Sequence, residues 1–280
     1  MRYLRTIMLA AAAMLGACGG DSNDPVGPGP GPDPDPTPSP GPGPGSVLQG
    51  RAIFGLTCAN GLVLFGSGNP GTLVRDVPIT GMSAGSVMLG IDFSPAGGPL
   101  YGVGSDSRIY TIDTLSGAAT AVGGSFAPAA AGEHFGISFD ADGKLILQSV
   151  ESNQQQTLDP GTGAVSTADV ELAFGAGDAH AGENPAVAAS GYYAGTMYGI
   201  ETNANALVTV APSGELRTVG EVGFNLYLCS GLDVDSDGTA YAALSTDTGN
   251  ELYTIDLGTG AATLLGDIGG GPVHSVALRP

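Results

Sequence analysis

Three histidines, three cysteines and one run of alternating aspartates are the side chains of this 280-residue sequence with chemistry to offer. His134 and His180 stand just ahead of β-rich runs, and His274 opens the last such run, "VHSVALRP". Imidazole with carboxylate nearby, here Glu133 and Glu183, is a donor set for zinc or a similar ion. No local spacing joins the three histidines. Only a fold that gathers the starts of those runs makes them a site, and ordinary polar loop residues are the alternative. "DVDSDG" (Asp233, Asp235, Asp237, Gly238) alternates carboxylates as calcium loops do. Its twelfth position is Leu244 instead of Glu, however, and "DADG" (Asp140 to Gly143) repeats the pattern at an equivalent place, which favours a tight type I′ hairpin turn. Calcium at Asp233, Asp235 and Asp237 and zinc at the histidines are therefore the two cofactor expectations, and neither is demanded.

Two further motifs lose their meaning in context. "GMSAG" (Gly81 to Gly85) matches a nucleophile elbow, but that motif needs a strand before it, a helix after it and a parallel sheet beneath. "GSGNPG" (Gly66 to Gly71) fits a dinucleotide loop by letters alone, with no βαβ unit around it. In a chain with 48 glycines such matches come cheaply.

The elements that must position these residues announce themselves by repetition. "TIDTLSGAAT" (Thr111 to Thr120) returns as "TIDLGTGAAT" (Thr254 to Thr263). Each belongs to a longer unit, Gly90 to Gly124 and Gly231 to Asp267, with four short β-branched or alternating runs, a to d, separated by Gly, Asp, Ser and Pro. Looser copies run from Phe135 to Thr167 and from Ala186 to Gly220. Their first strands are anchored at Ile91, Ile137, Val187 and Leu232, and the next step reaches Val276, an a-strand with no blade behind it. The missing b, c and d strands lie at the other end, in Ala52 to Phe65 and Thr72 to Ile79. Four strands per period of about forty to fifty residues is the propeller pattern. The expected fold is therefore all-β: a five-bladed β-propeller closed by the C-terminal strand, with an open sandwich or a solenoid as the alternative. Closure removes the exposed blade faces and unpaired edges an open ring would leave. In the c–d turns, Asp113, Asp159 and Asp256 precede Ser-Gly or Thr-Gly, so the acid is expected to bind turn amides while Gly takes positive φ.

On this frame the starts of the a-strands crowd one mouth of the central channel, so His134, His180 and His274 are expected to converge there. Cys58, in the b–c loop of the first blade, faces Cys229, ahead of the last blade, across the closure. A disulfide between them would be worth about 2–4 kcal/mol, with two separate thiols as the alternative. Asp92 and Asp233 are the only acids within the a-strand anchors.

The first 46 residues read differently. Arg2 and Arg5 precede a short apolar run, Ile7 to Leu15, and then "LGAC" ending at Cys18. The run is too short to span a bilayer, so residues 1–17 read as a signal peptide and Cys18 as the lipidated Cys of a bacterial lipobox, with plain secretion as the alternative. Three acyl tails at about 0.8 kcal/mol per methylene would anchor the chain firmly. Residues 18–46 carry that Cys and a Pro/Gly-rich linker in which Pro blocks helix and central strand. At ~3.1 Å per residue this disordered tether reaches up to roughly 80 Å, and the propeller domain occupies 47–280. Loss of Arg2 and Arg5 with the signal takes the formal charge from −19 to −21, which excludes nucleic acid and anionic lipid headgroups as partners. Trp is absent and aromatics are few, which weakens a sugar-stacking surface.

"FGLTCANGLVLF" (Phe54 to Phe65), "GIDFSPAGGPLYGVG" (Gly90 to Gly104) and "LYTIDLGTGAAT" (Leu252 to Thr263) resemble the motifs of a bacterial family, domain of unknown function 4394. The resemblance covers most of 50–280 and implies an extracytoplasmic propeller with no known reaction. Members of that family tend to carry an Arg-rich central segment, where this chain has "GKLILQSVESNQQQTLD". The functional expectation is a lipid-anchored binding or interaction module of the bacterial cell envelope. It would meet a protein, glycan or small-molecule ligand at the channel mouth built from d–a and b–c loops. A glycosidase-like or metal-dependent hydrolase at that mouth and a purely structural surface protein are the alternatives. No reaction can be read from the residues, so a role without catalysis comes first.

Overall fold

A computed structural model describes residues 47–280. The expected signal peptide (residues 1–17), the expected lipidated Cys18 and the expected linker (18–46) lie outside the described residues. Within them the chain is all β, in 21 strands forming five sheets. The second blade is the simplest, a meander of β4 (Met88–Phe93), β5 (Leu100–Gly104), β6 (Arg108–Ile112) and β7 (Ala119–Val122). The third repeats it with β8 (Phe135–Phe139), β9 (Leu145–Ser149), β10 (Gln154–Leu158) and β11 (Val165–Glu171). The fourth uses β13 (Val187–Tyr193), β14 (Thr196–Glu201), β15 (Ala206–Val210) and β16 (Glu215–Glu221), and the fifth β17 (Gly231–Val234), β18 (Ala240–Thr246), β19 (Gly249–Ile255) and β20 (Ala262–Asp267).

The first blade comes from both ends of the domain. β1 (Ala52–Thr57), β2 (Gly61–Gly66) and β3 (Asn69–Pro78) take β21 (Val273–Ala277) as their inner strand, antiparallel to β1 with Gly55 opposite Val276. The inner strands then neighbour one another in a ring, β4 to β8 to β13 to β17 to β21 and back to β4. Closure by the C-terminal strand is thus the observed topology, and it leaves no blade with a bare face.

Five hydrophobic clusters hold the ring, one at each blade junction. Phe54, Leu64, Ile91 and Phe93 join blades one and two, and Ile53, Val63, Leu252 and Val276 join blades five and one. Both faces of a middle strand are buried, so β2 reads "GLVLFG" without polar alternation and is buried throughout. Each fully buried Leu or Ile contributes about 1.5–3 kcal/mol. The third–fourth junction (Ile146, Leu172, Val187, Met197, Val208) carries the fewest buried apolar side chains of the five among the described residues.

The repeated phrase is a c-strand, turn and d-strand, as its letters predict. Asp113 Oδ1 accepts from the amides of Leu115 (2.9 Å) and Ser116 (2.8 Å), and Asp256 Oδ1 from Gly258 (2.8 Å) and Thr259 (2.9 Å). These amides hold the Asp113 and Asp256 carboxyls below the usual range. The closing glycines, Gly117, Gly163 and Gly260, have φ of 74°, 76° and 79°. They do a second job that turn chemistry alone does not predict. A Cβ there would run into the backbone of the preceding blade, at Pro78, Val122 and Gly220 respectively. The turn is therefore also the wedge that seats one blade's outer corner on the next.

Two features depart from the sequence expectation. The segment leaving β11 adds a short strand, β12 (Ala173–Phe174), parallel to the outer strand β16 of the next blade, and Thr80 bridges to Ala118 in the same way. The "DADG" and "DVDSDG" hairpins are not type I′ turns. Gly143 and Gly238 donate to the carbonyls of Asp140 (3.1 Å) and Asp235 (2.9 Å), and only these glycines, at 70° and 89°, have positive φ within the turns. A type I turn closed by a left-handed glycine spares the central Ala, Ser and Asp the penalty that positive φ carries.

Candidate functional site

The channel has two mouths of different chemistry. At the face carrying the d–a and b–c loops, a recess of about 210 Å³ is lined by Cys58, Asn60, Glu133, His134, Cys229 and His274. Cys58 follows β1, and its amide donates to Pro272 O (2.9 Å), which pins the loop to the segment entering β21. Cys229 sits in the turn before β17, where Ser230 Oγ donates to Tyr227 O (2.9 Å). The two Sγ atoms are 2.9 Å apart, well inside a non-bonded sulfur contact and outside a bond of about 2.05 Å. Burial, then the neighbouring Cys58, pushes the Cys229 thiol up to about 12.

His274 reaches the same place by a bulge. Leu56 pairs with Ser275 and Thr57 with Val273, so His274 is the unpaired extra residue of β21. A bulge re-aims a side chain out of the alternation of its strand. The His274 Nδ1 is buried with no hydrogen-bond partner, and burial pushes the imidazole down to about 4. Among the described residues Cys58, Cys229 and His274 are the one group of three metal-ligating side chains that gathers, with donor atoms all within 4.8 Å of one another.

The expected convergence of three histidines is thus realised only in part. His134 shares the recess with His274, but its Nδ1 is paired with Glu151 Oε1 at 2.7 Å. His180 lies elsewhere, its ring 5.4 Å from that of Phe174 and its Nδ1 3.1 Å from Glu183 Oε2. His180 is not part of that recess: it follows β12, which pairs with the outer strand of blade four, and its partner is Glu183. The sequence places the cysteines beside each other and His274 at the same mouth, but not as their immediate neighbour, since a bulge leaves no mark in the residue pattern.

The opposite face carries the a–b and c–d hairpins. There a recess of about 330 Å³ is lined by Asp92, Asp233, Asp235, Arg51 and Tyr193 among others. It shares Asp140, Ala141 and Tyr192 with a groove of about 490 Å³ that runs out over the third–fourth junction past Ile146, Met197, Val210 and Pro212. Together they form one cleft, opening where the inter-blade core is thinnest. Asp235 Oδ2 forms an ion pair with Arg51 Nε at 2.7 Å.

Asp92 and Asp233 occupy the same register of β4 and β17 and make the same pattern of bonds. Asp92 accepts from its neighbour Phe93 N and from Phe139 N of the next blade, both at 2.7 Å. Asp233 accepts from Val234 N and from Leu278 N of the next blade, also at 2.7 Å. Each carboxylate therefore ties two inner strands together. Burial outweighs these donors and pushes Asp92 up to about 7, and burial together with the charge of Asp92 pushes Asp233 well above the usual carboxylate range. The proposed calcium loop is not assembled. Asp233 is turned into this latch, Asp235 to Arg51, and Asp237 Oδ1 to the Thr239 amide (2.8 Å). "GMSAG" is a loop in which Ser83 Oγ donates to Asp106 Oδ2 (2.6 Å), and "GSGNPG" is the β2–β3 hairpin. Tyr192, Tyr193 and Arg51 escaped the sequence reading because only the ring brings them to one cleft.

The family model for the domain of unknown function DUF4394 matches residues 61–277, and the chain belongs to that family. No curated protein matches. A protein of unknown function from Bacteroides caccae is similar in structure at a TM-score of 0.52 and 11% identity, over 83% of this chain and 100% of that one. A structural genomics protein of unknown function from Bacteroides thetaiotaomicron gives 0.52 and 15%, over 84% and 66%. Virginiamycin B lyase from Staphylococcus aureus gives 0.43 and 14%, over 74% and 62%. At such identities the likeness is one of fold alone.

Proposed function

We propose that this DUF4394 protein is a lipid-anchored binding module of the bacterial cell envelope, holding a polar, uncharged or cationic ligand in the cleft of its hairpin face. The observation that carries the reading is the continuity of the two recesses. Over the third–fourth junction, the thinnest of the five, the ring stays open beside Tyr192, Tyr193 and carboxylates. Tyrosine offers an apolar ring with a hydroxyl, and carboxylates accept hydrogen bonds from hydroxyl and amino groups; together they suit a glycan or a basic peptide segment. Cys18 supplies the anchor in this reading. The test is thermal stabilisation and calorimetry of the soluble chain against neutral and amino-bearing oligosaccharides and basic peptides. A ligand at 100 times its Kd stabilises by about 2.7 kcal/mol, and Tyr192→Ala should abolish the shift. If nothing in such a panel stabilises the protein, or Tyr192→Ala binds as wild type does, the cleft is not the site. Cys18→Ser should move the full-length protein from the membrane to the aqueous fraction, and its retention in the membrane would overturn the anchor.

A hydrolytic reading has one observation in its favour. Asp92 and Asp233 lie at the floor of the recess with raised pKa, as a general acid requires. Against it, both oxygens of each carboxylate already bind backbone amides of two blades. Loss of a detected glycosidase activity in Asp92→Asn, with folding intact, would establish it.

A further inference from the structure

We propose that Cys58, Cys229 and His274 form a redox-gated site for a thiophilic d¹⁰ cation, zinc in the first instance, at the seam where the propeller closes. Three observations point there independently of the cleft. The donor atoms lie within 4.8 Å of one another, a spread that small side-chain rotations bring to the first shell of one ion. The bulge lifts His274 out of the pairing of β21, and its buried Nδ1 has no protein partner. Finally, the recess of about 210 Å³ gives a path in and room for a fourth ligand on the ion. Two thiolates and an imidazole with one open position are a donor set that zinc accepts.

The ligands come from three separate places: the loop after β1, the turn before β17, and β21 itself. An ion here would bind the first blade to the fifth at the one junction made by strands from opposite ends of the domain. Binding displaces the two thiol protons: one Zn²⁺ and two thiols give a zinc dithiolate and two H⁺. The same sulfurs at 2.9 Å are also placed to be oxidised. Exchange with the disulfide of an envelope oxidoreductase would form the Cys58–Cys229 bond and release that partner as its dithiol, its two electrons and two protons coming from this chain. The bonded pair has no thiolates to offer, so oxidation closes the metal site while stapling the same seam.

The test uses the full chain carrying Cys18→Ser, so that only these two thiols remain. After reduction with a phosphine and its removal without air, the protein should take up one zinc per chain and release two protons. Cobalt in place of zinc should show thiolate-to-metal charge-transfer absorption. Cys58→Ser, Cys229→Ser and His274→Gln should each weaken zinc by at least about tenfold, since even outer-shell changes cost that much. Oxidised glutathione should reduce the titratable thiols from two to none and abolish uptake, and phosphine should restore both. Folding of each variant is read from its unfolding transition, and alkylation of the reduced wild type by iodoacetamide supplies a block that needs no substitution. The proposal is overturned if reduced, folded protein takes up no zinc or cobalt. It is equally overturned if His274→Gln binds as tightly as wild type, or if oxidised protein binds as well as reduced.

Discussion

The two mouths of the channel use their reactive side chains in opposite ways. At the hairpin face Asp92 and Asp233 are fully engaged, each oxygen bound to a backbone amide and each carboxylate spanning two blades. At the other face the two sulfurs of Cys58 and Cys229 lie against each other, and the buried His274 Nδ1 beside them has no hydrogen-bond partner. Residues with the strongest chemical signature in sequence, the alternating aspartates, thus turn out to be architecture. A histidine with no local motif turns out to be the uncommitted one. Chemistry is available where a side chain's bonding capacity is left over after the fold has been satisfied, and that surplus is visible only in three dimensions.

The largest expected effect strikes both mouths at once. β21 carries His274 at one end and leads to Leu278, the donor to Asp233, at the other. Deleting residues 273–280 should abolish cooperative thermal unfolding, because the first blade loses its inner strand and both channel ends lose a partner. A deletion that melts as sharply as wild type would break the ring topology. Next, Asp233→Ala leaves Val234 N and Leu278 N buried without an acceptor, at about 1–3 kcal/mol each. In a domain of this size that lowers Tm by about 4–24 °C, at roughly 2–4 °C per kcal/mol. Cys58→Ser in reduced, metal-free protein should change Tm far less, and equal losses would erase the contrast between the mouths.

The pH dependence sharpens the same contrast. Asp92 is raised to about 7 in the fold from 3.8, so the native state binds more protons than the unfolded chain between those values. Its contribution to stability is fully present below about pH 4 and is lost as pH rises through about 7. Denaturant unfolding should therefore show a component that weakens over pH 4 to 7, to which the raised Asp233 adds with the same sign, and Asp92→Asn should reduce it while costing one interblade hydrogen bond. A slope unchanged in Asp92→Asn would show that the carboxylate is not the titrating group. The smallest effect belongs to His134 and Glu151, a pair with side chains 36% and 40% exposed. Glu151→Gln should shift stability by less than about 1 kcal/mol, as exposed pairs do.

Much of the ring could be read from the letters. The phrase around Asp113 and Asp256 marks strand, turn and strand, since short-range hydrogen bonding and positive φ leave few residues that fit. The orphan a-strand around Val276 told of closure because a lone strand needs a sheet to complete. What could not be read was anything arising between blades. The wedge role of Gly117 depends on Pro78 of another sheet, and the latch of Asp92 on Phe139 of another. In sequence, His180 stands ahead of the next a-strand as His134 does. The detour through β12 along the neighbouring blade's edge breaks that equivalence, and no periodicity in the sequence records it.

By itself the sequence determined the number of blades, the c–d turns and the pairing of the domain's two ends, because these follow from local conformational preference and from a period of burial repeated along the chain. Only the tertiary structure decided which acids became struts, which histidine met the two cysteines, and where the ring stayed open. Those outcomes depend on distances between residues far apart in the chain, such as Ile91 and Ser275, 184 positions apart. Such distances are set by how five sheets pack, and packing is a property of the closed ring as a whole.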